Sequence, residues 1–219
     1  MTSPILVTGG TGTLGRQVVP RLRDASRDVR VLSRRTHPAA DGIEYVTGDL
    51  LTGEGIQAAV DGAGIIVHCA GNSKGDDETT RTLMRAASQA GTPHLVYISV
   101  VGADRIPIVS GIDRAMFGYF GSKLAAERVI ADSGLPWTTL RATQFHNLVP
   151  DLAGPRVYGM ADLLRGYLRA CRKHRLLVPI WLPGQAARAV RAGANLAPDH
   201  AVGHRAWEDF LTERIVNEK

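Results

Sequence analysis

A glycine-rich turn lies close to the start of the chain. Residues Thr8–Gly15 read Thr-Gly-Gly-Thr-Gly-Thr-Leu-Gly, between a β-branched stretch and a stretch with helical spacing. Gly9 suits a tight turn, Gly12 lets the backbone approach a pyrophosphate, and Gly15 lets a helix pack closely on a strand. The N-terminus of that helix offers N–H groups and positive dipole to phosphate. The turn predicts a dinucleotide site. The residues expected to contact the cofactor here are Gly9, Thr11, Gly12, Thr13 and Leu14.

Arginines follow the second predicted strand. Val29–Leu32 is followed by Ser33, Arg34 and Arg35, without an acidic residue at that point. A site that prefers NAD carries an acid there for the ribose 2′-hydroxyl, whereas guanidinium groups pair bidentately with phosphate. We therefore predict that these three residues bind the 2′-phosphate of NADP, and that NADPH is preferred over NADH. The alternative is that both arginines are ordinary surface residues.

The ends of the third and fourth predicted strands also carry residues suited to this cofactor. Asp49, followed by Leu50, could accept a hydrogen bond from the adenine amine, although alone it favours a turn or helix-cap aspartate. Ala70 and Gly71 are small enough for the backbone to pass close to the cofactor ribose. Cys69 beside them is interpreted as a small buried hydrophobic residue rather than a catalytic thiol.

A serine, a tyrosine and a lysine could supply acid–base chemistry. Tyr119 and Lys123 are four residues apart, so they share one face of a helix. A lysine ammonium near a phenol favours the phenolate and lowers a pKa that is ordinarily about 10. A tyrosine tuned in this way is a general acid for a carbonyl oxygen, and Ser99 at the end of the fifth strand could hold the same oxygen. We predict that Ser99, Tyr119 and Lys123 form a catalytic set.

A parallel sheet covered by helices is needed to position these residues. Strands are predicted at Ile5–Val7, Val29–Leu32, Ile43–Val46, Ile65–His68, Leu95–Ser99 and Trp137–Leu140. Helices are predicted at Leu14–Arg23, Thr80–Ala90 and Ala115–Ala131. Strands that are apolar throughout are buried on both faces, which indicates a parallel sheet. The alternation of strand and helix then predicts an α/β fold with a doubly wound sheet of the Rossmann type.

The alternation of predicted strands and helices ends near residue 150, and prolines interrupt the sequence from there on. Helical stretches follow at Met160–Arg172, Gln185–Arg191 and Arg205–Arg214, and Leu176–Trp181 is a candidate strand. We predict a dinucleotide-binding domain over 1–149 and a short, mostly helical lobe over 150–219, packed at the carboxyl edge of the sheet where ligands of such folds bind. The large apolar side chains of this lobe lead us to expect a homodimer, because exposed apolar patches favour association.

Composition excludes several other classes of protein. The chain has 219 residues, of which 44% are hydrophobic and 21% charged, as in an ordinary globular protein. No apolar run approaches the ~18 residues of a membrane span, and the N-terminus lacks a signal-peptide pattern. We expect no membrane or nucleic-acid partner, because the basic stretch at 169–175 suits a solvated helix end. Two cysteines, Cys69 and Cys171, indicate free thiols in the cytoplasm.

Histidines provide the only metal-site hypothesis. His200 and His204 are four residues apart, but no third ligand accompanies them, so we expect no bound metal. His146 follows the sixth strand, where a substrate pocket is expected, and is a candidate for substrate contact.

Together these motifs resemble the short-chain dehydrogenase/reductase superfamily. The resemblance rests on Thr8–Gly15, Asp49, Ala70-Gly71, Ser99, and Tyr119 with Lys123. The segment 134–145, which reads GLPWTTLRATQF, is similar to the atypical, NmrA-like branch that binds NAD(P)H. The similarity covers roughly residues 3–149 and implies a Rossmann sheet with an NADP-type cofactor.

The resemblance also implies roles for single residues. Ser99 would polarise a substrate carbonyl, Tyr119 would be the acid–base residue, and Lys123 would lower the pKa of the tyrosine and hold the nicotinamide ribose. Ala142 and Thr143, just past the sixth strand, would line the nicotinamide side of the site. These roles imply an NADPH-dependent reductase of a small carbonyl-type substrate.

The sequence departs from this family in two places. Asp76-Asp77-Glu78 stands where extended members often have an active-site asparagine, so no fourth catalytic residue is assigned. Some tens of residues of the usual substrate lobe also do not follow Val149, where the chain passes directly to Pro150, either through an internal deletion or because part of the natural sequence is missing. A second hypothesis therefore stays open, in which the protein senses NADP(H) as a regulator and has lost turnover. The serine, tyrosine and lysine favour the enzyme, and the shortened lobe favours the sensor.

Overall fold

A parallel β-sheet forms the centre of the molecule. The computed structural model describes residues 3–38, 42–71, 75–91, 93–142, 157–200 and 206–212. Within them the strands are β1 (Ile5–Thr8), β2 (Val29–Ser33), β3 (Ile43–Thr47), β4 (Ile65–His68), β5 (His94–Val100) and β6 (Trp137–Ala142). They are ordered β3-β2-β1-β4-β5-β6, and every neighbouring pair is parallel. The predicted doubly wound sheet is confirmed, with its switch point between β1 and β4, where such folds bind ligands.

Helices cover both faces of this sheet. They are α1 (Gly15–Asp24), α2 (Ile56–Val60), α3 (Asp76–Gln89), α4 (Gly111–Ala131), α5 (Met160–Ala170), α6 (Gln185–Arg191) and α7 (Trp207–Leu211), with a short 3₁₀ turn at Pro198–His200. Val19 of α1 packs against Val7 and Val31 on one face. The helices α2, α3 and α4 pack on the other face, against the side chains of Leu6 and Ile66. Burial on both sides explains why these strands are apolar throughout.

Two helices begin earlier than the sequence predicted, and both corrections concern the site. The predicted helix Ala115–Ala131 starts at Gly111, because the Ser110 hydroxyl accepts from Asp113 N while the Asp113 carboxylate accepts from Ser110 N. The predicted helix Thr80–Ala90 starts at Asp76, with three acidic residues in its first turn, where they oppose the positive end of the helix dipole. The helix α2 was not predicted.

The C-terminal part of the chain is helical, as predicted, but its candidate strand is wrong. Residues 176–182 adopt no regular secondary structure, and Pro179 within them has no N–H to donate to a strand ladder. The helix α6 packs on α4 near the carboxyl end of β5, and the Asp113 carboxylate accepts from Ala186 N at 3.1 Å. The helix α5 packs with α7 around Trp207. The predicted boundary between Val149 and Pro150 lies outside the described residues.

No helix within the described part of the chain has the length and apolar character needed to cross a bilayer.

Candidate functional site

A cleft of about 400 Å³ opens at the carboxyl ends of the central strands. The predicted site residues that line it are Gly9, Thr11, Gly12, Thr13, Leu14, Ser33, Arg34, Asp49, Leu50, Ala70, Gly71, Tyr119 and Lys123. Sequence reasoning had not assigned six further lining residues, which are Leu32, Gly48, Leu51, Cys69, Thr79 and Ile98. Of the remaining predicted residues, Arg35, Ser99 and Ala142 do not line the cleft, and Thr143, like His146, lies outside the described residues.

The glycine turn forms one wall of the cleft, and it leaves no space for side chains. Gly9 has a φ of +68°, and a Cβ there would lie 2.6 Å from Ala70 N. A Cβ on Gly15 would overlap the carbonyl oxygen of Gly9. Gly12 N donates to Gly9 O at 2.9 Å, and the Arg16 guanidinium donates to Thr11 O at 2.9 Å. Among the described residues no side chain caps α1, so its first turn is open to a phosphate.

A buried hydrogen-bond network supports the turn from below. Thr8 Oγ1 lies 2.6 Å from His68 Nδ1 and accepts from Ala70 N at 3.3 Å. His68 Nε2 lies 3.3 Å from Thr80 Oγ1, so one imidazole joins β1, β4 and α3. Burial, and secondarily the charge of Lys123, lowers the pKa of His68 to about 3. His68 is therefore a neutral, structural histidine.

The end of β2 forms the side of the cleft where a 2′-phosphate is expected. Ser33 is buried and Arg34 is exposed, and both line the cleft. The hydroxyl of Ser33 lies 2.9 Å from His37 Nε2 and accepts from Arg35 N at 3.1 Å. His37 in turn stacks on Tyr45, with ring centroids 4.8 Å apart. Arg35 thus contributes its backbone N–H, rather than its side chain, to the end of β2. The hydrogen bond with His37, which was not predicted from the sequence, fixes the hydroxyl of Ser33.

Asp49 makes the contact of a turn aspartate, whereas Cys69, predicted to be a small buried residue, is only partly buried and lines the cleft. Asp49 Oδ1 accepts from Leu51 N at 2.9 Å, as a turn aspartate does, although the residue also lines the cleft. Burial raises the pKa of the Cys69 thiol to about 11, despite the opposing charge of Lys123. A thiol held protonated in this way is a poor nucleophile.

Lys123 reaches the floor of the cleft from α4, where it forms an ion pair. Its Nζ lies 3.1 Å from Asp76 Oδ2, and it donates to Ile98 O at 3.1 Å. The same ammonium lies 4.8 Å from the ring centroid of Tyr97 and 5.9 Å from that of Tyr119. Asp76 was not assigned from the sequence, and the acidic run 76–78 was its only signal.

The pKa of Tyr119 departs from its ordinary value in the direction opposite to that predicted. It is raised, first by burial of the phenol and second by the negative charge of Asp76. The sequence prediction, in which Lys123 lowers the pKa, is wrong first because the phenol is buried and second because Asp76, the ion-pair partner of Lys123, brings a negative charge close to it. The phenol, which at an ordinary pKa of about 10 is protonated at neutral pH, thus keeps its proton to a higher pH.

Ser99 lies at the end of β5, as predicted, but it does not reach the cleft surface. Its side chain is buried, and its Oγ has no hydrogen-bond partner among the described residues. The hydroxyl of Tyr97, two residues earlier on the same face of β5, is also buried without such a partner. The described residues contain no cluster of three or more metal-ligating side chains.

The sheet order, the glycine turn and the open helix N-terminus define a Rossmann-type dinucleotide-binding protein. The family model described as NAD(P)H-binding matches residues 9–166. The chain belongs to this NAD(P)H-binding family, within the atypical short-chain dehydrogenases/reductases, and is related to NAD(P)H-dependent reductases.

Two of the similar proteins are reductases by name. The (4-alkanoyl-5-oxo-2,5-dihydrofuran-3-yl)methyl phosphate reductase of Streptomyces griseus is 32% identical over 167 residues, which are 74% of this chain and 55% of that protein. The triphenylmethane reductase of a Citrobacter species, in complex with NADP(H), superposes with a TM-score of 0.55 and 25% identity, covering 66% of this chain and 50% of that one.

A third similarity concerns the fold alone. The NADPH-dependent quinone oxidoreductase QOR2 of Escherichia coli, in complex with NADPH, has a TM-score of 0.57 at 22% identity, and the match covers 77% of this chain and 54% of that one. The chain thus spans about half the length of each of these three proteins.

Proposed function

We propose that the protein is an NADPH-dependent reductase of a small carbonyl-type substrate, with Tyr119 as the proton donor. The observation that supports this most strongly is that Tyr119 and Lys123 line the same cleft as the glycine turn and Arg34. One cleft thereby joins groups suited to phosphate with a phenol suited to proton donation. The reductase activities of the Streptomyces and Citrobacter relatives support the same reaction class.

Each group of the cleft has a role in this proposal. The bound nicotinamide dinucleotide would supply the hydride. The cradle around Gly9 and Gly15, which a side chain would fill, fits a pyrophosphate. Arg34 and Ser33 would bind the 2′-phosphate, which gives the preference for NADPH. Lys123 donates to Ile98 O and forms an ion pair with Asp76, and it lines the cleft, where its ammonium would donate to a ribose hydroxyl.

Proton donation follows from the state of the phenol. A phenol is protonated at neutral pH, and because burial and Asp76 raise the pKa of Tyr119 it stays so to a higher pH and can donate to an oxygen that gains negative charge. Two free thiols, Cys69 and Cys171, support our further proposal that the protein works in the reducing cytoplasm.

An NADP(H) sensor without turnover is the second candidate, and the position of Ser99 favours it. The Ser99 hydroxyl lies outside the cleft lining, so one member of the predicted catalytic set does not face a substrate oxygen there. The cofactor cradle is the same in both candidates, so cofactor binding alone does not distinguish them.

Steady-state NADPH oxidation against a panel of aldehydes, ketones and quinones tests the proposal. We expect turnover with at least one class, and a loss of about 10²-fold or more in Tyr119→Phe, the scale of a lost general acid. NADPH affinity should stay nearly unchanged in that variant. Tyr167→Phe on α5 removes a hydroxyl remote from the cleft and is the control. Undiminished turnover in Tyr119→Phe excludes the proposed role, and NADPH binding without oxidation of any substrate favours the sensor.

A further inference from the structure

We propose that Asp76 is a positioning residue of this site. Its buried ion pair with Lys123 holds the ammonium beneath the cleft and compensates its charge beside Tyr119, which sets the site to deliver a proton rather than to remove one. The inference rests on the proposed reductase function, to which it adds a preferred direction of reaction.

The ion pair is short and almost completely enclosed. Asp76 Oδ2 and Lys123 Nζ are 3.1 Å apart, and the two side chains are only 2% and 6% exposed, respectively. Water therefore screens this pair far less than a surface pair, and each charge acts strongly on its neighbours. By contrast, the pair between Asp77 and Arg81 on the same helix is 3.3 Å long and partly exposed.

The backbone of Gly71 places the ion pair within the site. Gly71 lines the cleft, and a Cβ on it would lie 3.0 Å from Lys123 Nζ and 3.4 Å from Asp76 Oδ2. The two charged groups thus lie directly against the backbone at the end of β4. Because Gly71 has no side chain, a ligand in the cleft can approach both charges closely, and Lys123 itself lines the cleft.

Packing between α3 and α4 fixes both partners. Asp76 is the first residue of α3, and its backbone N–H donates to Ser122 Oγ at 3.2 Å. Ser122 immediately precedes Lys123 on α4, so the same short contact sets the spacing of the carboxylate and the ammonium. Lys123 is held from a third side by Ile98 O of β5.

The compensation of charge has a direct consequence for Tyr119. An unpaired ammonium 5.9 Å from the phenol ring would favour the phenolate, the form that removes a proton from an alcohol. The adjacent carboxylate opposes that effect, and Asp76 is the charged group that raises the pKa of Tyr119. The protonated phenol is the form that serves reduction, whereas oxidation of an alcohol needs the phenolate.

Titration of Tyr119 in Asp76→Asn tests this role without depending on turnover. The ring-carbon NMR signal of Tyr119, assigned with Tyr119→Phe, is followed against pH in ¹³C-tyrosine-labelled protein. We expect its midpoint to fall by ~1 pH unit or more when the carboxylate is removed, the usual size of such a charge effect. Asp77→Asn removes the same charge from the same helical turn at a partly exposed position and should leave the midpoint unchanged.

Two further variants keep the test decisive if Asp76→Asn folds poorly. Lys123→Met leaves the carboxylate uncompensated and should move the midpoint upward, whereas Asp76→Asn with Lys123→Met should return it close to the wild-type value. A folded Asp76→Asn protein that titrates like wild type overturns the inference, as does a double variant whose midpoint falls well below the wild-type value.

Turnover provides a separate measurement of the same effect. The alkaline limb of the NADPH oxidation profile should move to lower pH in Asp76→Asn, by the same amount as the NMR midpoint. If the NMR midpoint shifts but none of the tested substrates supports NADPH oxidation, the reductase proposal is overturned and the charge effect of Asp76 is supported. Turnover with an unshifted midpoint supports the reductase and overturns the role of Asp76.

Discussion

Thr8 Oγ1 lies 2.6 Å from His68 Nδ1, where β1 and β4 run side by side at the switch point of the sheet. The same Thr8 oxygen accepts from Ala70 N, and Ala70 packs against Gly9 at the first tight turn of the cleft. The neutral imidazole of His68 thus helps to fix the distance between the ends of β1 and β4, beside which a pyrophosphate would bind. Protonation of that imidazole would bring a positive charge into a fully buried position close to Lys123.

This buried histidine predicts a loss of stability in mild acid. Burial lowers the pKa of His68 from 6.5 to about 3, so the unfolded chain takes up a proton that the folded protein does not as the pH falls below ~6.5. The free energy of unfolding should therefore decrease with falling pH, by ~1 kcal/mol per pH unit between about pH 6 and 5. Urea unfolding of the wild type at pH 7.5, 6.5, 5.5 and 5.0 measures the slope.

Comparison with two glutamine variants assigns that slope to His68. His68→Gln should be less stable at pH 7.5 because it disturbs the bonds to Thr8 and Thr80, but its stability should depend less on pH. His94→Gln replaces a solvent-accessible histidine at the start of β5 and should keep the wild-type slope. Equal slopes in the wild type and His68→Gln would contradict the prediction.

The sheet was predictable from the sequence because its signal is local. All six predicted strands are confirmed to within two residues at each end, since apolar, β-branched runs are what a sheet buried on both faces requires. The glycine turn was also predictable from the sequence, because the positions of Gly9 and Gly15 have no space for a side chain. The candidate strand over 176–181 failed because strand formation needs a partner that the sequence pattern does not reveal.

The electrostatics of the site were not predictable by the same means. The spacing of Tyr119 and Lys123 correctly placed both in the cleft, but it gave no information about a carboxylate from another helix. Asp76 meets Lys123 only because α3 packs on α4, a contact between residues 47 positions apart. The hydrogen bond between Ser33 and His37 likewise depends on the path of the irregular loop after β2. Hydrophobic periodicity in the sequence gives no information about that path.

Replacement of Arg34 tests the preference for NADPH. Arg34 lines the cleft beside Ser33, so Arg34→Ala should weaken NADPH binding by about 10- to 100-fold, the effect of losing one charge-assisted contact worth ~1.5–3 kcal/mol. NADH affinity should hardly change, because NADH lacks the 2′-phosphate. Fluorescence titration of both dinucleotides measures the two effects.

Arg35 is the matched comparison for that experiment. It carries the same charge one residue later, but it lies outside the cleft lining and contributes a backbone N–H to Ser33. Arg35→Ala keeps that N–H and should weaken NADPH binding less than Arg34→Ala does. If wild-type protein bound NADPH and NADH equally well, the assignment of this corner to a 2′-phosphate would be wrong.

Two glycines with the same φ allow backbone strain to be separated from steric crowding. Gly9 and Gly62 both have a φ of +68°, but a Cβ on Gly9 meets Ala70 N at 2.6 Å, whereas a Cβ on Gly62 meets nothing within 4 Å. Gly62→Ala should cost only the ~1–2 kcal/mol of a left-handed alanine and leave NADPH affinity unchanged. Gly9→Ala should cost more and should also impair NADPH binding, because the turn must move away from β4. Unfolding by urea and fluorescence titration with NADPH measure the two effects, and equal stability losses with intact binding in both variants would contradict this explanation.

Exposed apolar side chains in the C-terminal part of the chain predict a homodimer in solution. Leu176, Ile180 and Trp181 are 89%, 79% and 74% exposed, and they follow one another along the irregular segment 176–182. Exposure of these apolar side chains to water is unfavourable for a monomer. A symmetric contact between two copies of the chain would bury them. Light scattering should therefore give a mass of twice the 23.5 kDa of one chain.

Substitution within the patch decides whether it forms that contact. Ile180→Ser with Trp181→Ser should shift the mass to that of one chain and leave NADPH affinity unchanged, since neither residue lines the cleft. Val109→Ser removes an exposed apolar side chain, 58% exposed, just before α4 and should leave the dimer intact. A wild-type protein that is monomeric at micromolar concentration would show that water tolerates this patch, and a dimer that survives the double substitution would place the interface elsewhere on the molecule.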